Sequence, residues 1–296
     1  MMKITNGMCA VSLSLFGTDG SIDAVSLAKL NDFYAQSGCS GVFTACQSGE
    51  IFGMSLKKRI ELAQLGVKLA HERNMFCVAS ANAGHDIEES AYELTAVVES
   101  GADAAVIITN RLDVANTSDS AWCRDAQRLI MKLPADAKLG LYECPYPYKR
   151  LLSTEMLRFC ADTGRFVFIK DTCCDPDTLA KRLALLDGTG IKLFNANIQT
   201  LAHSLSHGAA GYCGVMANLF PSLVMDILES PPEEIGIRQA FATACSVCEF
   251  LAYPAAAKEL RGLPAYCLNG QKATAYDMYV LRQIETLIGE ALKRNR

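Results

Sequence analysis

Two reactive side chains stand at the ends of apolar runs that follow one another along the chain. Lys170 ends the run Phe166–Lys170, and Tyr142 ends the preceding run Leu139–Tyr142. An amine at the end of an apolar segment loses part of its hydration, which disfavours the ammonium form and frees the amine to attack a carbonyl carbon. The ordinary alternatives are a lysine that reaches solvent and a tyrosine that packs in the core with its hydroxyl in water.

A third candidate is the turn Cys46–Glu50, which follows the apolar run Val42–Ala45. Small residues with free backbone N–H groups at a turn between a strand and a helix can hold a carboxylate. An ordinary turn has the same composition. The segment therefore gains meaning only if the fold brings Gln47 and Ser48 close to Lys170.

The chain alternates short apolar runs with longer segments of helical period. The apolar runs are Cys9–Leu15, Val42–Ala45, Phe76–Ala79, Ala104–Ile108, Leu139–Tyr142, Phe166–Lys170, Lys192–Asn195 and Gly211–Met216. Most are apolar at consecutive positions, as is typical of parallel strands that are covered on both faces. Eight strand–helix units in about 225 residues predict a TIM (β/α)8 barrel of the α/β class. An open doubly wound sheet is the alternative, but Phe16–Gly20, after the first run, lacks its phosphate-binding glycine pattern.

Several of the helices between these runs have recognisable first residues. Ser55 is predicted to cap one helix, and Asp86 followed by Glu89 resembles a capping box. Asp175 followed by Pro176 combines an N-cap with a proline in the first turn. These helix starts support the alternation of strands and helices.

The predicted organisation is a barrel over residues 1–222 and a C-terminal helical extension over residues 223–296 that packs on the barrel. No strand pattern is evident after about residue 221. The extension is expected to form helices at Glu233–Leu251, Ala255–Leu260 and Thr274–Leu292. No independent second domain is predicted.

The barrel prediction restricts where the chemistry would occur. In this fold the active site lies at the carboxyl ends of the strands. Lys170 and Tyr142 end the predicted sixth and fifth strands, and Gln47 and Ser48 follow the second strand. The fold is therefore expected to bring these four residues to one mouth of the barrel.

Composition and charge narrow the class of partner. The 296 residues are 50% hydrophobic and 20% charged, which excludes a disordered chain. Lys and Arg total 28 and Asp and Glu total 32, so there is no basic excess to bind nucleic acid. No apolar run approaches the ~18 residues of a membrane span. A small molecule is the expected partner.

The thirteen cysteines are expected to be reduced and mostly buried. Their number is odd, and Met1–Gly7 has none of the features of a secretory segment, which favours a cytoplasmic protein. Cys245 and Cys248 have the spacing of a metal knuckle or a redox pair, but no second pair lies at ligand distance in the sequence. No metal site is predicted.

Four short motifs resemble those of the dihydrodipicolinate synthase / N-acetylneuraminate lyase superfamily of pyruvate-dependent class I aldolases. The motifs are Ser48–Glu50, Leu141–Pro145 around the tyrosine, Ile169–Asp171 around the lysine, and Gly211–Asn218. Each motif alone is weakly specific, whereas their order on the second, fifth, sixth and eighth predicted strands is specific. The resemblance runs through the barrel and continues weakly into the extension.

The resemblance implies a reaction and roles within it. Lys170 would form an imine with pyruvate or another 2-oxo acid, and Tyr142 would carry protons. Gln47 and Ser48 would hold the substrate carboxylate, and the backbone at Cys213 would face the substrate. An aldehyde would be the second substrate, no metal or organic cofactor would be needed, and the chain would assemble as a homotetramer or a dimer.

Three positions depart from the pattern of dihydrodipicolinate synthases. Gln47 stands where they have a hydroxyl residue, and Thr109–Leu112 lacks their pair of tyrosines. Their arginine for the carboxylate of the aldehyde falls near Pro147, so Lys149 or Arg150 would have to replace it. The leading prediction is therefore a lyase or aldolase that acts through an imine, without the specific reaction of lysine biosynthesis.

Two alternatives stay open. One is dihydrodipicolinate synthase itself, and the other is a non-catalytic homologue that binds a keto acid or a sugar acid. Candidates for a second-substrate pocket are Arg111, Glu143, Tyr146 and Asn197, which could equally be loop residues without contact to the substrate.

Overall fold

The computed structural model describes residues 2–84 and 86–294. Within these residues, parallel strands close a barrel in chain order from the first strand to the last. The strands are β1 Gly7–Val11, β2 Cys39–Thr44, β3 Phe76–Ala79, β4 Ala104–Ile108, β5 Leu139–Tyr142, β6 Phe166–Asp171, β7 Lys192–Asn195 and β8 Gly211–Tyr212. The predicted TIM barrel is confirmed.

Helices surround the barrel and continue after it. They are α1 Ala24–Gln36, α2 Leu56–His71, α3 Ile87–Glu99, α4 Asp119–Ile130, α5 Thr154–Asp162, α6 Pro176–Leu186, α7 Leu201–Ser206, α8 Met216–Leu219, α9 Pro221–Leu228, α10 Ile235–Cys245, α11 Ala255–Leu260 and α12 Ala275–Arg294. The predicted N-caps are confirmed, since Ser55, Asp86 and Asp175 each accept a hydrogen bond from the backbone N–H three residues later. None of the described helices combines the length and apolar character that a membrane span requires.

The barrel closes where β1 pairs with β8 through a contact of two glycines. Gly7 lies opposite Gly211 in this pairing. A Cβ atom on Gly211 would stand 1.8 Å from the carbonyl oxygen of Gly7, and the φ of Gly211 is +152°. Only glycine satisfies both conditions, so this residue type is required at the closing seam.

Aromatic rings fill the interior of the barrel. The ring centroids of Phe168 and Phe194 are 5.1 Å apart. The centroid of Phe43 lies 6.0 Å from that of Phe168, and the centroid of Phe76 lies 6.0 Å from that of Phe194. All four side chains are fully buried. The interior is thus a packed core rather than a pore, and a ligand can approach only from an end.

The first and last strands are shorter than their apolar runs predicted. The prediction of a strand at Cys9–Leu15 is wrong beyond Val11, although the N–H of Ser12 still bonds to the carbonyl oxygen of Phe43, at 2.9 Å. Ser12 to Leu15 are buried in spite of leaving the strand. Their apolar character therefore reflects burial rather than strand pairing.

The prediction of a strand at Gly211–Met216 is also wrong, because β8 ends at Tyr212. A Cβ atom on Gly214 would lie 2.2 Å from the carbonyl oxygen of Ala196. The chain passes so close to the loop after β7 that it has to turn there, and α8 begins at Met216. Gly214 of this motif therefore serves a turn, whereas Gly211 belongs to β8.

The C-terminal extension matches the predicted helices in part. Helix α11 has the predicted bounds, whereas the helix predicted at Glu233–Leu251 ends at Cys245 and is followed by a 3-10 helix, Ser246–Phe250. Helix α9 contains residue 222, so the predicted boundary between barrel and extension falls inside a helix.

A buried ion pair fastens the extension to the mouth of the barrel. The Nζ atom of Lys258, which is fully buried, lies 2.5 Å from Oε1 of Glu50 and donates to the carbonyl oxygen of Tyr266 at 2.8 Å. The other oxygen of Glu50 accepts from the N–H of Leu268 at 2.7 Å. Glu50 follows β2, so the extension is held directly over the strand ends.

Asn218 makes a second link between the same parts of the molecule. Its Nδ2 donates to the carbonyl oxygen of Val11 at 2.8 Å and to the hydroxyl of Tyr253 at 2.9 Å. Its Oδ1 accepts from the hydroxyl of Tyr34 at 2.6 Å. The asparagine that ends the fourth motif therefore positions Tyr253 of the extension against β1.

All thirteen cysteines are free thiols, and most of them are buried. Cys245 and Cys248 are both buried, one at the end of α10 and the other in the 3-10 helix that follows. Within the described part of the chain, no group of three or more His, Cys, Asp or Glu side chains is arranged to hold a metal ion.

Candidate active site

A cleft of about 690 Å³ lies at the carboxyl ends of the strands. Lys170, Tyr142, Gln47 and Ser48 all line it, as the sequence predicted. Such a volume is in the range of sites that bind small organic ligands. The fold thus brings the candidate nucleophile, the candidate proton carrier and the candidate carboxylate turn to one cavity.

Lys170 and Tyr142 stand side by side on neighbouring strands. They are register partners in the pairing of β5 with β6. Lys170 is 5% exposed, and its Nζ lies 4.4 Å from the centroid of the Tyr142 ring and 5.8 Å from that of Phe43. The amine is held between aromatic rings at the floor of the cleft, where it can reach only a group that enters the cavity.

The hydroxyl of Tyr142 is oriented by Gln47. It donates to Oε1 of Gln47 at 3.2 Å, and the thiol of Cys144 donates to the same oxygen at 3.3 Å. Burial, and then the Cys144 thiol, raise the pKa of Tyr142 well above its ordinary value. The hydroxyl therefore stays protonated near neutral pH and is available as a proton donor.

Ser48 belongs to a short 3-10 helix, Gln47–Gly49, that directly follows β2. Burial raises the pKa of Tyr253, and the neighbouring side chain of Ser48 lowers it by a smaller amount. The carboxylate turn predicted from the sequence is therefore in contact with the C-terminal extension.

The sequence analysis placed the backbone of Cys213 at the substrate, but Cys213 is not among the residues that line the cleft. Cys213 is fully buried, and its N–H donates to the carbonyl oxygen of Asn195 at 2.8 Å. The next two residues, Gly214 and Val215, line the cavity instead. The chain turns at Gly214, which moves the exposed backbone beyond Cys213.

The candidates for a second-substrate pocket divide into two groups. Tyr146 and Asn197 line the cleft. Arg111 is buried, and its guanidinium carbon packs 4.8 Å from the centroid of the Phe52 ring. Phe52 lines the cleft, whereas Arg111 does not. Glu143 is buried as well and lies outside the lining residues.

Glu143 organises the loops after β5 and β6. It accepts hydrogen bonds from the N–H groups of Leu152 at 2.7 Å and Thr172 at 2.8 Å, and Arg182 bridges it to Asp171. Burial and then the Asp171 carboxylate raise the pKa of Glu143, against the effect of Arg182. Glu143 therefore holds the loops after β5 and β6 together and does not line the cleft.

The two cations expected near Pro147 do not line the cleft. Arg150 is buried and pairs with Asp113, Nη1 to Oδ2, at 2.8 Å. Lys149 is an exposed residue whose Nζ donates to the carbonyl oxygen of Thr172 at 2.7 Å. Among the described residues that line the cavity, Lys170 is the one cation.

The sequence analysis missed the upper wall of the cleft, which comes from the extension. Its residues are Glu249, Tyr253, Pro254, Leu268, Asn269 and Gln271. Glu249 is half-buried, its Oε1 has no hydrogen-bond partner among the described residues, and burial raises the pKa of its carboxyl to about 7. The available sequence signal for this wall was the acidic Glu249 between Cys248 and the apolar Phe250 and Leu251. Its position in the cleft could not be predicted, because it depends on how the extension folds back.

Comparisons with known proteins agree with this arrangement. The chain matches the model of the dihydrodipicolinate synthetase family over residues 4–236. A 4-hydroxy-tetrahydrodipicolinate synthase from Clostridium perfringens is 25% identical over 224 residues, which are 75% of this chain and 74% of the relative. The family match covers every barrel strand.

Two solved structures illustrate the likeness in fold. YagE, a prophage protein of the dihydrodipicolinic acid synthase family from E. coli K12 in complex with pyruvate, has a TM-score of 0.85 at 16% identity and covers 97% of this chain and 99% of its own. A catalytic lysine mutant of the sialic acid aldolase from Ruminococcus gnavus has a TM-score of 0.83 at 16% identity and covers 98% and 97%. Together with the family match, the fold and the cleft show that the chain belongs to the dihydrodipicolinate synthetase family.

Proposed function

We propose that the protein is a lyase of the class I aldolase type that forms an imine between Lys170 and pyruvate or another 2-oxo acid. The observation that carries this proposal is the buried amine of Lys170, 4.4 Å from the ring centroid of Tyr142, at the floor of a cleft in a chain of this family. The complex of YagE with pyruvate and the catalytic lysine of the sialic acid aldolase support it.

The proposed reaction begins when the nitrogen of Lys170 adds to the keto carbon and the former carbonyl oxygen leaves as water. The protonated imine accepts the electron pair of the adjacent C–H bond as that proton leaves, which gives an enamine. The enamine carbon attacks the aldehyde carbon, and the aldehyde oxygen takes up a proton. Water then hydrolyses the imine and frees Lys170, and cleavage follows the same steps in reverse.

Tyr142 is the group that would move these protons. Its hydroxyl is protonated, faces the same cavity as Lys170, and is fixed by Gln47. The turn Gln47–Gly49 is linked to this hydroxyl through Gln47 and is the proposed site for the substrate carboxylate.

The alternative of an authentic 4-hydroxy-tetrahydrodipicolinate synthase has the curated relatives in its favour. It lacks support from the cleft, since neither Lys149 nor Arg150 lines the cavity to receive the carboxylate of the aldehyde. Turnover of aspartate semialdehyde with pyruvate would decide for this alternative.

Trapping the imine tests the proposal. Incubation with pyruvate followed by borohydride should attach the reduced pyruvate to Lys170, and mass spectrometry of the peptides locates it. Lys170→Arg should abolish labelling, because a guanidinium keeps its charge and cannot serve as the amine. The absence of any adduct at Lys170 with pyruvate and a panel of 2-oxo acids would overturn the proposal and favour a non-catalytic homologue.

A further inference from the structure

The extension places an unpaired carboxylate in the wall of the cleft. Glu249 lies in the 3-10 helix Ser246–Phe250 and lines the cavity that contains Lys170. Its Oε1 is buried and has no hydrogen-bond partner among the described residues. Because Oε1 is out of reach of the cavity, a ligand would donate to the other oxygen of this carboxylate, which has no hydrogen-bond partner among the described residues either. An acceptor without a donor in a partly buried site is costly, so such a ligand would gain affinity there.

The other charged groups of the cavity are already engaged. Both oxygens of Glu50 are bonded, one to Lys258 and the other to the N–H of Leu268. Lys170 is the amine proposed for the imine. Within the described lining of the cleft, Glu249 is therefore the carboxylate left for the second substrate, and no cation remains beside it.

The rest of the lining suits a ligand that both donates and accepts hydrogen bonds. Thr172, Asn197, Asn269 and Gln271 supply neutral polar groups around the cavity. The cleft of about 690 Å³ is much larger than pyruvate needs, so it leaves room for a polar chain.

We propose that Glu249 determines specificity by accepting hydrogen bonds from hydroxyl groups of the aldehyde, so that the enzyme prefers an uncharged hydroxylated aldehyde to one that carries a carboxylate. This inference rests on the proposed imine chemistry and names the class of its second substrate. A carboxylate on the aldehyde would meet a like charge at Glu249, and among the described lining residues only Lys170, which is engaged in the imine, carries a positive charge.

The ionisation of Glu249 adds a pH signature. Burial raises the pKa of its carboxyl to about 7. The titratable groups that interact with its charge are Tyr212, Tyr253, Cys174 and Cys248. Burial raises the pKa of each of these four groups, so they stay neutral near pH 7. Above about pH 7 the ionised Glu249 accepts from hydroxyl groups and repels a carboxylate, and below it both effects weaken.

The test compares kcat/KM for two aldehydes with pyruvate as the common substrate. D-glyceraldehyde supplies neutral hydroxyl groups, and succinic semialdehyde supplies a carboxylate. The wild type should prefer glyceraldehyde, and Glu249→Ala should lower kcat/KM for it by about tenfold to a hundredfold, as for a lost hydrogen bond to a charged group. The same variant should leave kcat/KM for succinic semialdehyde unchanged or raise it.

Two further variants separate this role from a structural one. Glu249→Gln keeps an acceptor oxygen, so it should recover part of the activity with glyceraldehyde and lose the change in preference near pH 7. Glu233→Ala removes an exposed acid of the same extension and should behave as the wild type.

Borohydride trapping of pyruvate in every variant makes the outcomes distinguishable. Labelling of Lys170 with an equal effect of Glu249→Ala on both aldehydes overturns the role of Glu249 alone, and so does a wild type that prefers succinic semialdehyde. A wild type without label overturns the proposed function and this inference with it.

Discussion

At the scale of residues, the pair of Tyr142 and Gln47 defines how protons would move in the cleft. The amide oxygen of Gln47 accepts the hydrogen bond of Tyr142, at 3.2 Å. An amide carbonyl accepts a hydrogen bond but does not readily pass a proton onward, as a hydroxyl does. Tyr142 therefore has to exchange its proton with the substrate or with water, and Gln47 fixes the direction of the hydroxyl.

Removal of this hydroxyl should affect turnover much more than binding. Tyr142→Phe is expected to lower kcat by about 10²- to 10⁴-fold, the usual contribution of a general acid or base, with little change in KM for pyruvate. Steady-state kinetics on an aldehyde that the wild type accepts would measure both constants. Tyr148→Phe is the matched control, since that hydroxyl bonds to Val114 outside the lining of the cleft. An unchanged kcat in Tyr142→Phe would remove Tyr142 from the mechanism.

The residues that the sequence could predict are those fixed by strand order. Lys170 and Tyr142 end neighbouring strands, and any closed barrel brings such ends together. Glu249 could not be predicted in this way, because it lies after the last strand, in a 3-10 helix whose place depends on how the extension folds back over the barrel. Cys213 lies outside the cleft lining because the chain turns at Gly214, and the apolar pattern gives no sign of that turn.

At the scale of elements, the fastening of the extension rests on Lys258. Its ammonium is fully buried between Glu50 and the carbonyl oxygen of Tyr266. Glu50 in turn holds the N–H of Leu268, a residue of the cleft wall. This one pair connects the turn after β2 to the segment that covers it.

Lys258→Met should lower the free energy of unfolding by about 3 kcal/mol or more, because it leaves the Glu50 carboxylate largely buried without its partner. Urea denaturation followed by circular dichroism would measure the change. Lys293→Met removes an exposed lysine that is paired with Glu290 at 3.0 Å, and it should change stability by less than about 1 kcal/mol. Similar losses in the two variants would show that the buried pair does not fasten the extension.

The elements themselves were largely predictable, and the errors have a common cause. Apolar runs mark burial, and burial continues past the end of pairing at Ser12 and again at Cys213. The helix predicted through Leu251 ends early because residues Ser246–Phe250 form a 3-10 helix that contributes Glu249 to the cleft wall. Sequence periodicity does not distinguish such a segment from the last turns of an α-helix.

At the scale of the whole molecule, stability depends on the seam between β1 and β8. Gly211→Ala should lower the free energy of unfolding by about 3 kcal/mol or more, since its Cβ would overlap the carbonyl oxygen of Gly7 and the backbone there favours glycine. Gly101→Ala is the control, because Gly101 also has a positive φ but faces open space within 4 Å. It should cost only about 1 kcal/mol. Denaturant titration would measure the free energy of unfolding of both variants. Equal losses would mean that the close approach of Gly211 to Gly7 does not add to the cost of the substitution.

The class of fold followed from the number and order of strands, which the sequence displayed directly. The assembly as a dimer or tetramer and the cytoplasmic location remain predictions, since both depend on surfaces and surroundings that strand order does not encode. The division into a barrel over residues 1–222 and an extension over residues 223–296 also remains a prediction, and its boundary falls inside α9.

The cleft wall supplied by the extension has an evolutionary consequence. The family match ends at residue 236, whereas the wall begins at Glu249. The matched part contains the amine and the tyrosine, together with Thr172 and Asn197, whereas Glu249, Asn269 and Gln271 lie beyond it. If Glu249 selects the second substrate as proposed, a change there would alter the substrate without altering the segment that the family model matches.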